Sequence, residues 1–244
     1  MDFKKFYEKY HEGRLLPKRI IGKKDFTYRH IVLVLDKYCT NKDILDVGSG
    51  VGTLDLYLAS KGRNVTGIEI SERAVDIANK SLEAFDLKGK VKFILGNFLK
   101  LEPKGKYAFV ICSEVLEHLK DDKIAVKMIH RLAKRGGLAM ITVPSKNAPL
   151  IKFGAIEAFD KRSGHLRRYT LESLSALLEK HNFKVVYSKK TEGILRNSLY
   201  VFKFLHPIIR VANRFSLVSD MITFLDNITL ALFGESQIIV VVKK

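Results

Sequence analysis

The segment Ile44-Leu45-Asp46-Val47-Gly48-Ser49-Gly50-Val51-Gly52-Thr53-Leu54 restricts this chain more than any other, because a run of β-formers meets three alternating glycines and then a helical pattern. Glycines at 48, 50 and 52 allow a sharp turn and let a ligand lie against the main chain without Cβ interference. Seventeen residues past Gly52, Glu69 ends a second β-rich run, where a carboxylate can accept both hydroxyls of a ribose. The glycines alone mean only a tight strand-to-helix turn. With Glu69 they imply an adenosine-type cofactor.

The flanking chain repeats the same alternation. Further β-rich runs lie at Asn64–Ile70, Val91–Leu95, Tyr107–Cys112 and Leu138–Val143. Helical patterns separate them at Thr53–Lys61, at Ser71–Asp86 with Ser71 as N-cap, and at Asp121–Lys134 closed by Gly136-Gly137. Strands alternating with helices mean βαβ units and a parallel sheet covered on both faces. A helix at Leu171–Lys180, capped by Thr170, a strand at Phe183–Ser188 and a last strand at Gln237–Val242 complete the pattern, with a helix at Phe26–Tyr38 before it. About 45 residues, Lys190–Glu235, separate the last two strands; so long a connection must carry structure of its own. The predicted fold is therefore α/β and doubly wound, a mostly parallel seven-stranded sheet with a helical cap inserted before the last strand. Its parts are a basic N-terminal arm at 1–25, a cofactor-binding core at 26–189, the cap at 190–235 and the last core strand at 236–244. With 47% hydrophobic residues and only 5 prolines, the chain can build a packed core, which excludes a disordered or fibrous protein.

A dinucleotide site wants G-x-G-x-x-G, but here the third glycine comes one residue early and Thr53 stands in its place. The D-x-G-x-G-x-G form resembles instead the first motif of S-adenosylmethionine-dependent methyltransferases of the seven-stranded Rossmann-like class, and the resemblance extends over most of Phe26 to Ser188. It implies S-adenosylmethionine as cofactor. Asp46 and the backbone at Gly48 and Gly50 would face the methionine part, Gly52 would complete the turn, Glu69 would hold the ribose and Ile70 would lie against the adenine. In Leu95-Gly96-Asn97-Phe98, Asn97 takes the place of the usual Asp, and its amide oxygen can accept from the adenine amino group. Phe98 would offer its backbone N–H and its ring to the purine. Outside the motif, Asn97 reads as a turn residue. Ser113, after the fourth strand, completes the expected cofactor contacts.

The run Cys112-Ser113-Glu114-Val115-Leu116-Glu117-His118-Leu119 belongs in the same crevice, because ligands sit at the carboxyl ends of strands. Its E-V-L-E-H-L form, with Arg135-Gly136-Gly137-Leu138 before the next strand, resembles the broad family that contains ubiquinone-biosynthesis O-methyltransferases. Methyl transfer from a sulfonium mainly demands alignment, and a base is needed only if the nucleophile must lose a proton. His118 and His165 are the candidate catalytic residues, since an imidazole ordinarily titrates near neutrality. His165 lies in Ser163-Gly164-His165-Leu166-Arg167-Arg168-Tyr169-Thr170, a stretch that in related enzymes folds towards the acceptor. Either histidine could instead fix a loop. Glu114, Glu117, His118 and His165 also form a candidate metal set, because carboxylates and imidazoles suit Mg, Mn or Zn. A similar E-x-x-E-H arrangement holds a divalent ion in small-RNA 2'-O-methyltransferases and some ubiquinone O-methyltransferases. The metal-free reading is preferred here, with Glu117 bonded to a backbone turn.

The acceptor is hinted at by charge and by the cap. Forty-three Lys and Arg against 26 Asp and Glu leave +17, which implies attraction to nucleic acid, a phosphorylated metabolite or lipid headgroups. Leu199–Val211 places Lys203, His206 and Arg210 on one side of an apolar helical pattern, interrupted at Pro207, where a kink or a break is expected. The expected partner is a small-molecule or lipid-like acceptor, with peripheral contact to an anionic membrane. RNA ranks behind it because no appended RNA-binding domain is visible, and a non-catalytic partner protein ranks last because the cofactor motif is intact. The Ile194–Phe233 region is interrupted by charges, so contact with a bilayer is expected and crossing is not. The N-terminus lacks an apolar leader pattern, and Cys39 and Cys112 form no disulfide or C-x-x-C pattern, so a reducing, cytoplasmic setting is expected.

Overall fold

Seven strands form one sheet in the computed structural model, which describes residues 3–101 and 105–244. They are β1 (Asp43–Val47), β2 (Asn64–Glu69), β3 (Val91–Leu95), β4 (Tyr107–Ser113), β5 (Ala133–Pro144), β6 (Lys184–Thr191) and β7 (Gln237–Lys243). The helices are α1 (Phe3–Tyr10), α2 (Arg29–Tyr38), α3 (Thr53–Ser60), α4 (Glu72–Ala84), α5 (Asp122–Leu132), α6 (Ile156–Ser163), α7 (Leu171–Glu179), α8 (Ile194–Val201), α9 (His206–Arg214) and α10 (Ser216–Phe233). The sheet order is β3-β2-β1-β4-β5-β7-β6; β7 is antiparallel to both of its neighbours and the remaining pairings are parallel. This is the expected doubly wound sheet with a helical insertion before its last strand.

The strand order reverses between β1 and β4, which opens a crevice at their carboxyl ends. Register decides what meets there. Val47 pairs with Ile68 on one side and with Cys112 on the other, so Gly48, Glu69 and Ser113 emerge together. Alternation along β4 feeds two cores. Val110 and Cys112 pack with Val126 and Ile129 of α5 and Leu174 of α7, whereas Phe109 and Ile111 pack with Leu35 of α2 and Leu58 of α3.

Caps fix the helix starts. The Ser71 hydroxyl accepts from Ala74 N–H at 3.2 Å, Asp121 accepts from Ile124 N–H at 3.1 Å, and Thr170 accepts from Ser173 N–H at 3.1 Å. Several boundaries differ from the sequence reading. The helix expected from Phe26 starts at Arg29, because Phe26 turns inward to pack with Leu199 and Ala212 of the cap. The helix expected to run to Lys134 ends at Leu132; β5 starts at Ala133 and absorbs Gly136-Gly137, where a Cβ at Gly137 would stand 2.9 Å from the Lys134 carbonyl. The stretch after Pro144 contains a 3₁₀ turn at Pro149–Phe153 and then α6.

Both appendages carry helices among the described residues. Within the arm at 1–25, α1 lies on the N-terminus of α4, where the Glu8 carboxylate accepts from the N–H groups of Glu72 at 2.6 Å and Arg73 at 3.3 Å. Lys190 and Thr191 still belong to β6, and the cap consists of α8, α9 and α10. The helical pattern at 199–211 is broken, as Pro207 demanded: α8 stops at Val201 and α9 starts at His206, leaving Pro207 in the first turn, where its missing N–H costs nothing.

Candidate active site

Gly48, Gly50 and Gly52 have φ of 75°, 56° and 76°, a region that L side chains rarely adopt. No atom comes within 4 Å of the place a Cβ would take on Gly50, so its main chain is open to a ligand. At Gly52 a Cβ would stand 2.7 Å from Phe93 and 3.2 Å from Ala78, so this glycine serves close packing of α3 on β3 and α4. Glu69 closes the turn from below. Its Oε2 accepts from Gly50 N–H at 2.9 Å, while Oε1 accepts from Ile70 and Ser71 N–H at 2.8 and 2.9 Å. Burial raises its pKa, and these backbone donors oppose the shift.

Asp46, Gly48, Gly50, Glu69 and Ser113 line one cleft of about 1150 Å³, together with His118 and His165. Ile70, Asn97 and Phe98 do not line it. The Asn97 Oδ1 accepts from Leu99 N–H at 2.9 Å, the turn role that its residue type suggests, and Phe98 is buried in the core. Asp46 is buried next to Asp55 of α3; burial first, and then mutual repulsion, raise the Asp46 pKa well above the carboxylate range, and burial pushes Asp55 up to about 7. A cofactor bearing positive charge there would favour the ionised form of Asp46.

A second cluster stands across the cleft. The His118 and His165 rings are 5.0 Å apart between centroids. His118 Nδ1 is 3.1 Å from the Gly164 carbonyl and His165 Nδ1 is 2.8 Å from Asp160, so both Nδ1 atoms act as donors. Burial lowers the His118 pKa to about 4 and keeps the ring neutral. Asp160 is different: burial opposes its ionisation, but hydrogen bonds from Arg168 and His165 outweigh this and hold it low.

Glu114 and Glu117 diverge. Glu114 has φ 55°, an uncommon region for this residue type, and its Oε1 accepts from the Thr142 hydroxyl at 2.8 Å and from Gln237 at 3.1 Å. Glu117 is fully buried, and neither carboxylate oxygen has a hydrogen-bond partner among the described residues, so the expected bond to a backbone turn is not made. Burial and the neighbouring Glu114 raise its pKa far above the usual range. Its Oε1 lies 3.6 Å from His118 Nε2, and ligand atoms of Glu117, His118 and His165 lie within 4.8 Å of one another. An orphaned buried carboxylate beside two oriented imidazoles fits a divalent cation.

Apart from Glu114, His206 and Arg210, most of the remaining lining escaped the sequence reading. Tyr7 of α1 stands 5.7 Å from the His118 ring in an edge contact, and Tyr28 and Tyr200 add further aromatic wall. Arg14, Arg162 and Arg210 also line the cleft, and none of them has a carboxylate partner among the described residues. Asp160, five positions before His165, was the one orienting group with a local signal. The others come from segments whose path no periodicity specifies.

A profile described as the methyltransferase domain matches residues 26–188, about two thirds of the chain. The chain belongs to this methyltransferase family. With the family established, the cofactor is S-adenosylmethionine. Ubiquinone biosynthesis O-methyltransferase of Pseudomonas aeruginosa (strain UCBPP-PA14) is 31% identical over 117 residues, covering 48% of this chain and 50% of that protein. The namesake from Nitrosospira multiformis is 34% identical over 119 residues, covering 48% and 49%. The chain thus matches about half the length of these curated relatives. Among solved structures, magnesium protoporphyrin IX methyltransferase from Synechocystis PCC 6803 with bound SAH shares the fold at 18% identity, with a TM-score of 0.65 and coverage of 99% and 98%. Phosphoethanolamine N-methyltransferase 2 of Haemonchus contortus, in complex with S-adenosyl-L-methionine, shares it at 16% identity, with a TM-score of 0.63 and coverage of 100% and 57%.

Proposed function

We propose that this methyltransferase transfers the methyl group of S-adenosylmethionine to a hydroxyl of a small, lipid-like acceptor. The observation that carries this reading is that a single cleft joins the glycine cradle to the His118–His165 pair and continues between α1, α6 and the cap. Such a cleft, walled by helices, suits a small molecule better than an RNA chain. Its tyrosines would cover an aromatic or isoprenoid body, and Arg14, Arg162 and Arg210 favour an anionic group on it. The names of the curated relatives are in keeping with an oxygen acceptor.

In the transfer, the S–CH3 bond breaks as the O–CH3 bond forms, the sulfonium becomes a neutral thioether, and the hydroxyl proton must leave. Asp46 and the cradle hold the cofactor, and Glu69 takes the ribose. His165 Nε2 accepts the proton, with Asp160 fixing the ring as the third member of a base arrangement does. His118, kept neutral by burial, offers a lone pair that orients the hydroxyl.

A second reading rests on the partnerless Glu117. Glu117, His118 and His165 would hold a divalent cation there, which would supply Lewis acidity that makes a bound hydroxyl easier to deprotonate. The test of the main reading is to incubate purified protein and labelled S-adenosylmethionine with lipid, metabolite and RNA extracts. Label in an organic-soluble anionic product is the expected result. Label in RNA alone, or in nothing while the cofactor is bound, overturns it.

A further inference from the structure

The cap is built inside out. On α10 the polar residues Ser219, Thr223 and Asp226 face the protein. Asp226 accepts from Gly193 and Arg196 N–H at 2.9 and 2.8 Å, and Asp220 pairs with Arg29 of α2. The opposite face carries Leu217, Met221, Phe224, Ile228 and Leu232, with Leu217 72%, Phe224 67% and Leu232 70% exposed. The spacing of 4, 3, 4 and 4 residues makes one continuous stripe. The stripe continues backwards along the chain through Phe215, Val211 and Ile208 to Phe204, which is 77% exposed. Exposed apolar surface of this extent on a soluble face marks an interaction site.

Charge selects the partner. Lys203, His206, Arg210 and Arg214 follow one another at spacings of 3, 4 and 4, on the row adjoining Phe204, Ile208, Val211 and Phe215. None of Lys203, Arg210 and Arg214 has a carboxylate partner among the described residues, and the outward stripe of α10 carries no charge. A second copy docking over both helices would set one basic row against another. An anionic bilayer meets both features, because apolar side chains enter the acyl boundary while Lys and Arg reach the headgroups. By length and composition α10 is apolar enough to cross a membrane, but Asp226 ties its polar face to α8, so it lies flat.

We propose that the outer faces of α9 and α10 form an interfacial docking surface for anionic phospholipid bilayers. His206 and Arg210 belong to the basic row and also line the cleft, so docking would set the cleft mouth at the headgroup level. Binding itself stands on the surface alone. Only its use in delivering an acceptor rests on the lipid-like reading above, and the assay therefore omits cofactor and acceptor.

The measurement is flotation of the full chain with vesicles of phosphatidylcholine alone and of phosphatidylcholine with about one quarter phosphatidylglycerol, at low and high salt. Expected is binding to the anionic vesicles only, released by salt as the Debye length shrinks from about 10 Å to a few ångströms. Lys203→Gln with Arg214→Gln should weaken it about 30-fold, from about 1 kcal/mol per basic group and 1.4 kcal/mol per tenfold. Met221→Ser with Phe224→Ser, outer-face changes that should leave the thermal midpoint in place, should abolish it. If the parent does not float, if the serine variant binds like the parent, or if the parent is a dimer in solution that the serine variant dissolves and that ignores vesicles, the proposal is overturned. In the last case a second copy covers the face.

Discussion

Changing Glu69 to glutamine tests the cofactor site at a single atom. Its Oε1 serves two backbone donors, Ile70 and Ser71, and its Oε2 serves Gly50. Glutamine keeps one acceptor oxygen, and the orientation that preserves two bonds turns its NH2 towards Gly50 N–H, donor against donor. The Gly50 peptide then loses its anchor, and one ribose hydroxyl loses its acceptor. A hydrogen bond to a charged group contributes about 1.5–3 kcal/mol, so affinity for S-adenosylmethionine should fall about 10- to 150-fold. The fold should tolerate the change, because glutamine has nearly the same shape and keeps the bonds from Ile70 and Ser71 N–H. Calorimetric titration with the cofactor and thermal unfolding on one preparation read both quantities. A folded Glu69→Gln variant with the affinity of the parent refutes the ribose assignment, and a large drop in midpoint makes Glu69 a structural clamp instead.

The other expectations concern the opposite wall and the core. His165→Asn should lower turnover about 10²–10⁴-fold while cofactor titration stays as in the parent; equal turnover would mean that alignment alone suffices. Under the base reading, chelator leaves turnover unchanged, whereas a loss restored by one divalent ion and absent from Glu117→Gln establishes the cation. Asp55→Asn probes the buried pair: the folded pKa of Asp55, about 7, exceeds the unfolded value of about 3.9, so its stabilising effect is complete below about pH 4 and lost as pH rises through about 7. The thermal midpoint of the variant should therefore gain on that of the parent between about pH 4 and 8, and a constant gap would show that Asp55 is not protonated in the fold. Gly52→Ala, at φ 76° and with its Cβ 2.7 Å from Phe93, should cost about 1–3 kcal/mol in denaturant unfolding, and an unchanged midpoint would mean that α3 moves freely on β3.

What could be read before the structure was whatever backbone periodicity and local chemistry dictate. The order of strands and helices was legible because Val47, Ile68 and Cys112 end runs of β-formers, while Ser71 and Thr170 are caps whose side chains bond the third residue onward. Boundaries failed where tertiary packing overrode the pattern. Phe26 carries an apolar side chain at helical spacing, yet it is used as the ring on which the buried Arg196 guanidinium stacks at 3.9 Å. At Asn97 the local chemistry was legible: its Oδ1 accepts from Leu99 N–H in the Asx turn that its residue type suggests.

The division between legible and illegible most closely follows the division between strand ends and appendages. Four of the sequence-named groups that line the cleft stand at or just past strand ends, Asp46 and Gly48 at β1, Glu69 at β2 and Ser113 at β4, and strand ends are placed by register. Apart from His118, which follows β4, the groups on the opposite wall come from α1 and the segment after it, from the segment between β5 and α7, and from the cap, stretches that the sheet does not index. They are assembled instead by single polar contacts: Glu8 on the end of α4, Arg168 and His165 on Asp160, Asp226 on the start of α8. Such contacts pair residues from about 5 to more than 60 positions apart, and any of them can be exchanged without disturbing the alternation that builds the sheet. Groups at strand ends are therefore readable in one chain, whereas those on the appendages must be read from where the appendages land.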